Sequence, residues 1–334
     1  MRDGQERRTL DTRVCLTALI AAICLLSLLA LRVGSAKFTV RQILSSLLDA
    51  SSPIRAIIID IRLPRVILSI LIGMCLTAAG TILQAVMHNP LADPGVIGVS
   101  SGASVVATAV FLIMPAASRS VPLFAFAGAL AACAAIYSMA WRGGADPIRI
   151  VLAGVAVNAM LGGATSFLML MNADDLQGVL AWMNGSLSAK SWSQVRVMAA
   201  YGSIGILCSA LSVKSLNALQ LGDEVARNLG IRVGRTRVVL SGIAAYLAAS
   251  TVSVAGIIGF VGLIVPHVAR MAVGANHKRM LPAAMLLGAC VVLLADLTGR
   301  TVVAPVEIPV GIVMSILGGP FFLYLLRRRK RTGM

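Results

Sequence analysis

The sequence predicts an all-α membrane protein, a polytopic bundle of ten transmembrane helices with both ends of the chain in the cytoplasm. Three observations carry that reading. Composition is the first: 58% hydrophobic residues, 13% charged residues and a mean hydropathy of +0.90 over 334 residues do not match a soluble globular chain. The second is the series of charge-free runs at residues 14–31, 66–87, 94–114, 121–141, 150–171, 197–213, 238–269, 280–295 and 308–326, most of them long enough to cross a bilayer. The third is the distribution of positive charge, which decides how many crossings those nine runs make.

The run at 14–31 follows a basic tail, residues 1–13, and is longer than the apolar core of a cleaved signal, so it is expected to remain as an anchor. A long outer segment, 32–65, ends in Arg62 and Arg65, which flank Leu63 and Pro64; the proline is expected to pin the start of the second span and fix where both guanidinium groups point. At the other end of that span HNPLADPG, residues 88–95, forms a stiff polar turn that could close a pore. The seventh run has 32 residues and contains Gly256, Gly259, Gly262 and Pro266. If it crosses twice, with a bend near residues 253–256, Lys and Arg divide 19 inside to 10 outside; a single crossing gives 12 and 17. Ten spans follow, 14–326 forms the membrane domain, and a second basic tail, 327–334, shares the cytoplasmic side with the first. The net charge of +16 then reflects topology and attraction to anionic membrane lipids, and implies no nucleic-acid partner.

Within this apolar chain LGDEVARNLGIRVGRTR, residues 221–237, is a polar insertion. Leu221, Val225 and Leu229 recur at helical spacing, with Asp223, Glu224 and Arg227 expected to face away and Gly230 to stop the helix. A hydrophobic stripe on a cytoplasmic loop reads as a handle for a soluble partner; a solvated connector has little need of one. None of the five lysines follows a glycine, so no Walker A lysine exists here and any ATP must be bound by another subunit.

Polar residues inside spans are few. Gln84, Asn158, His267 and Asp296 are expected to face helix contacts or a cavity, with Asp296 paired to Arg300 four residues on. His267 has no second ligand at metal-binding spacing, and the six cysteines lie in spans without CxxC spacing, so no metal centre, disulfide frame or catalytic group is implied. Asp174 and Asp175 read as a solvated helix start in an outer loop. Gly98 and Gly102, and the series Gly311, Ser315, Gly319, are small-residue faces that permit close helix approach.

Six stretches carry a family resemblance: RLPRVILSILIG (62–73), Gln84 through HNPLADPGVIGVSSGAS (88–104), LGDEVARNLGI (221–231), GIIGFVGLIVPHVAR (256–270), LADLTGR (294–300) and EIPVGIVMSILGGPFF (307–322). In this order, from about residue 15 to 327, they resemble the iron-siderophore, haem and cobalamin permease family of bacterial ABC importers. The resemblance implies a ten-span permease of the bacterial cytoplasmic membrane that pairs with a second copy or a paralogue, sits on two cytoplasmic ATPase subunits, and receives solute from a periplasmic or lipid-anchored binding protein. ATP and Mg would belong to the ATPase, and this chain would hold no cofactor.

It implies that Arg62, Arg65 and Arg300 pair with acidic residues of the binding protein. Asn89 and Leu91 match one cytoplasmic gate segment, and Asp146 and Pro147 stand where the family has small hydroxyl residues in a second. Coupling to the ATPase would fall on helices at about 217–233, through Leu221, Gly222, Asp223, Glu224, Ala226, Leu229 and Gly230; Asn158, Gly318 and Gly319 would line the path. An acid at Arg62 or Arg65 would then weaken capture of the binding protein with assembly intact. The outer stretch 175–192 resembles siderophore members, with haem and cobalamin as the alternatives. An ion-coupled secondary transporter would instead need ionisable groups near mid-membrane, which are scarce here.

Overall fold

The structure is a computed structural model that describes residues 11–34, 36, 38–49, 52–141 and 146–329; most of the two basic tails, Ser35, Lys37 and residues 50–51 and 142–145 lie outside the described residues. Among the described residues fourteen α-helices follow one another: α1 Thr12–Arg32, α2 Val40–Leu48, α3 Leu63–Val86, α4 Val99–Ile113, α5 Val121–Ala140, α6 Pro147–Met171, α7 Gln177–Met183, α8 Trp192–Leu211, α9 Val213–Gln220, α10 Asp223–Asn228, α11 Val233–Ala255, α12 Val261–Val273, α13 His277–Thr301 and α14 Val310–Arg329. Among the described residues seven helices are long and apolar enough to cross a membrane, and three shorter apolar ones, α4, α12 and the apolar part of α14, bring the set to the ten expected.

The long seventh run is divided as the charge count requires. α11 stops at Ala255, Gly256 takes φ +76 and Phe260 φ +66, and α12 begins at Val261. Non-helical backbone at such a break is tolerated where protein satisfies it. Here the Ser186 amide donates to the Ala255 carbonyl at 2.8 Å, and the Gly311 amide donates to the Gly185 carbonyl at 3.1 Å. The break therefore lies at the same end of the bundle as the α7–α8 loop and the start of α14. At the opposite end, Asn217 accepts from the His277 amide at 2.8 Å, and the start of α1 packs on α12 and α13 through Cys15, Leu16 and Leu19. These contacts sort the loops into the two faces the topology predicted.

α3 is the central helix. Lipid offers no hydrophobic drive between helices, so close backbone approach has to supply the attraction. A Cβ on Gly80 would stand 1.9 Å from the Gly262 carbonyl oxygen of α12, and one on Gly73 2.3 Å from the Gly288 carbonyl oxygen of α13. Gln84, fully packed in the same helix, donates to the carbonyls of Gly262 and Leu263 at 3.3 and 3.1 Å. Pro266 is the cause: it lacks the amide that would otherwise have served Gly262, and Gln84 fills that role. Gly80→Ala is expected to cost about 1–3 kcal/mol through forced separation of α3 and α12. Gly242→Ala, where nothing lies within 4 Å, should be near neutral; thermal unfolding of the two purified variants in detergent checks the contrast.

One expectation is corrected at Pro64. The helix does not start there: a π-helical turn, Ile57–Arg62, runs into α3 without interruption. The Leu63 amide reaches back five residues to the Ile58 carbonyl, and this widened turn accommodates a proline that cannot donate. The Gly98–Gly102 pair does mark a close approach, since a Cβ on Gly102 would be 2.4 Å from the Gly128 carbonyl oxygen of α5. In the other small-residue series Gly311 is tight against the Asn184 carbonyl, whereas Gly319 faces open space. All six cysteines are free.

A candidate cytoplasmic gate and coupling hairpin

The polar insertion folds as two short helices. Gly222 at φ +100 breaks the chain between α9 and α10, so Leu221 caps the first helix, Val225 lies in the second and Leu229 caps its end. Gly230 at φ +81 ends α10, with the Ile231 amide returning to the Ala226 carbonyl at 3.0 Å, the six-to-one bond of a Schellman stop. The stripe faces outward, as the handle reading expects, with Asp223 turning in toward the bundle. Leu221, Val225 and Leu229 are 62%, 44% and 62% exposed, while Ala226 is buried and Asp223 turns inward to an ion pair with Arg237 of α11 at 2.9 Å. The small Ala226 side chain lets α10 lie close to the bundle, and Asp223 neutralises a buried arginine. Glu224 stays exposed. The apolar stripe is thus left facing outward on an otherwise polar surface, where it has no role in the fold of the single chain.

The turn expected to form the first gate segment lies beside this hairpin. α3 ends at Met87, and His88 adopts φ +47, a left-handed conformation uncommon for a residue with a Cβ. Asn89 then accepts from the Leu91 amide at 2.9 Å, Asp93 accepts from the Gly95 amide at 2.9 Å, and Gly98 at φ +82 leads into α4. Asn89 and Asp93 each close the backbone on itself, which makes the turn stiff. Asn158 of α6, placed in the path by the resemblance, is half-buried and holds this turn, donating to the Gly95 carbonyl at 3.1 Å and accepting from Ser101. Gly154, one turn before it, admits the Val96 carbonyl, which would stand 2.1 Å from a Cβ.

Asp146 and Pro147 begin α6. Asp146 accepts from the Ile148 amide at 2.8 Å and Pro147 occupies the first turn, a regular helix start. A carboxylate can perform the capping that a small hydroxyl residue would perform at this position. Both residues border a cleft of about 980 Å³ that also runs past Asp223, Arg227 and Gly230, so the start of α6 and the polar hairpin share one opening. Gly318 packs against the Phe260 ring in the α11–α12 break, and Gly319 is half-buried with free space around it.

At the outer end Arg65 and Arg300 converge on Asp296, while Arg62 is held by backbone carbonyls. Arg65 donates to Asp296 at 2.9 and 3.1 Å and to Glu307 at 2.8 Å; Arg300 pairs with Asp296 at 3.3 Å and donates to the Ala30 carbonyl. Arg62 donates to the carbonyls of Leu31 and Ala36 and lies over the Phe38 ring at 4.7 Å. All three are buried, at 4%, 7% and 6% exposure, so in the single chain they tie α1, α3, α13 and the α13–α14 loop together. An acid at Arg65 would stand beside Asp296 and Glu307, and the expectation of intact assembly is withdrawn for that position. Glu307 is the accessible member, its side chain 40% exposed. Burial pushes its carboxyl up, but the hydrogen bond and charge of Arg65, with Ser188 and Arg300, outweigh this and hold it below the usual range. Spacing foretold the Asp296–Arg300 pair. Arg65 and Glu307 come from distant segments and gave no local signal.

Comparison with known proteins agrees with this architecture. Residues 19–328 match the FecCD transport family, and the chain belongs to that family. It is 38% identical over 322 residues to the Fe(3+)-citrate import system permease protein YfmE of Bacillus subtilis (strain 168), covering 96% of this chain and 97% of the relative. It is equally 38% identical over 330 residues to the hemin transport system permease protein HmuU of Yersinia pestis, covering 96% and 98%. A solved metal-chelate type ABC transporter in an inward-facing conformation superposes with a TM-score of 0.84 at 25% identity, covering 95% of this chain and 99% of that one. The chain is a multi-pass permease of the ABC-importer class, a transport subunit and not the ATP-hydrolysing one.

Proposed function

We propose that this permease moves an iron-siderophore complex across the bacterial cytoplasmic membrane by alternating access. The exposed stripe of Leu221, Val225 and Leu229 carries the reading, because a cytoplasmic apolar handle fits the groove of a separate ATPase. Two ATPase subunits, with ATP and Mg, would seat one hairpin from each of two permease copies. Their motion would open the path alternately to a binding protein outside and to the cytoplasm through the turn at Asn89 and Leu91 and the α6 start at Asp146 and Pro147. Asn158, Gly318 and Gly319 would border that path. Docking of the binding protein would fall on the Arg62, Arg65 and Arg300 cluster, reached through its exposed acid Glu307. Relatives named for ferric citrate, hemin, ferric hydroxamate and cobalamin keep haem and cobalamin as second readings.

The test is uptake by proteoliposomes containing the permease, its ATPase and its binding protein, offered radioiron as hydroxamate or citrate complexes, haemin and cobalamin in turn. ATP-dependent accumulation of a ferric siderophore ahead of the other solutes is expected. Preference for haemin or cobalamin would overturn the substrate, and uptake driven by an ion gradient without ATP would overturn the class.

A further inference from the structure

The gate turn and the coupling hairpin meet at one side chain. His88 leaves α3 in its left-handed conformation with Nε2 2.6 Å from the Leu219 carbonyl oxygen near the end of α9. Its Nδ1 is 3.2 Å from a guanidinium nitrogen of Arg237, and the same nitrogen donates to Asp223 of α10 at 2.9 Å. A carbonyl only accepts and a guanidinium only donates, so these partners require the neutral ring with its proton on Nε2. One imidazole thus connects α9, α10 and α11 to the first residue of the turn.

The surroundings favour transmission through this point over transmission through α3. α3 is fixed just before the turn by Gln84 on the α12 carbonyls and by the glycine contacts with α12 and α13. At its far end the turn is held by Asn158 and Gly154 of α6. Behind it a cavity of about 170 Å³ between Gln84, His88, Pro90, Gln220, Arg270 and His277 leaves room for displacement. A rigid turn between two moving bodies, with space on one side, shifts as a unit when either body moves.

We propose that His88 is the positioning residue through which the coupling hairpin sets the cytoplasmic gate turn, so that movement of α9 and α10 reaches α6 by way of His88, the turn and Asn158. The inference rests on the ATP-driven reading above. His88 is exposed and lies beyond the C-terminal end of α3, so its substitution should leave the fold intact.

The experiment uses the same reconstituted complex and whichever of the ferric hydroxamate, ferric citrate, haemin or cobalamin probes the wild type imports. With His88→Ala, ATP hydrolysis is expected to continue near the wild-type rate while solute imported per ATP falls about tenfold, the scale of one lost hydrogen-bonded link. His88→Gln places an amide nitrogen near the former Nε2, keeps the Leu219 bond and should restore most of the ratio. His88→Asn reaches only toward Arg237 and should stay uncoupled; a merely structural role would not separate these two amides. Hydrogen exchange of the purified permease supplies a second readout, with His88→Ala expected to raise exchange together at residues 89–97 and 219–231. A wild-type transport ratio in His88→Ala, or equal behaviour of the Gln and Asn variants, overturns the inference and leaves the importer reading standing. Failure of the wild type to import any probe with ATP overturns the importer reading, and the exchange experiment then decides the link alone: unlinked changes in the two segments overturn it.

Discussion

Asp296→Ala is expected to prevent accumulation of folded permease. Asp296 is fully buried and neutralises two guanidiniums, Arg65 at 2.9 Å and Arg300 at 3.3 Å, whose side chains are 9% and 5% exposed. Removing one partner from a buried ion pair costs about 3–5 kcal/mol because the remaining charge is left without compensation, and that is a large part of the stability of a typical domain. Arg65 keeps Glu307, so the penalty falls mainly on Arg300, whose other bond goes to the Ala30 carbonyl. The double variant Asp296→Ala with Arg300→Met should therefore recover much of the yield, since an apolar side chain of similar length needs no counter-charge there. Monodisperse protein and its unfolding temperature in detergent, compared among wild type, single and double variants, check this; a double variant no better than the single one would show that the ion pair is not the cause.

The double substitution Leu221→Asp with Leu229→Asp should have the opposite profile, with normal folding and no transport. Both leucines are 62% exposed and support nothing in the single chain, so the change should alter stability by no more than about 0.5 kcal/mol. Seated in an ATPase, each leucine would contribute about 1.5–3 kcal/mol by burial, so losing both and adding two charges should weaken the association at least about a hundredfold. Co-purification with the ATPase should fail and ATP-driven uptake should vanish, while gel filtration and unfolding of the permease stay as in the wild type. A double variant that still assembles and transports would remove the handle from this hairpin.

The sequence made the number of spans legible because membranes impose length and charge asymmetry directly on the chain. The long run at 238–269 was divided correctly by counting Lys and Arg on either side, and the break occurs where Gly256 adopts a positive φ. Motifs located the stiff turn at 88–95 and the polar hairpin as structural elements as well. Orientation within an element was harder to read. Leu221, Val225 and Leu229 fit a stripe, but whether it faces inward or outward depends on Asp223 finding Arg237 and on Ala226 fitting against the bundle. Likewise Arg62 and Arg65 read as outer-surface cations because the carbonyls of Leu31 and Ala36 and the acids Asp296 and Glu307 that bind them come from distant segments. Close helix contacts such as Gly73 with Gly288 and Gly80 with Gly262 pair glycines from distant parts of the chain, and no spacing within either helix announces them.

The placement of the hairpin can be tested most directly with Val225→Cys, a single thiol on the exposed stripe, labelled by a membrane-impermeant maleimide in a background lacking the six native cysteines. Labelling in inside-out vesicles, protection in right-side-out ones, and loss of labelling when the ATPase binds are predicted. Labelling from the outer face, or labelling unaffected by the ATPase, would contradict energy delivery through this hairpin.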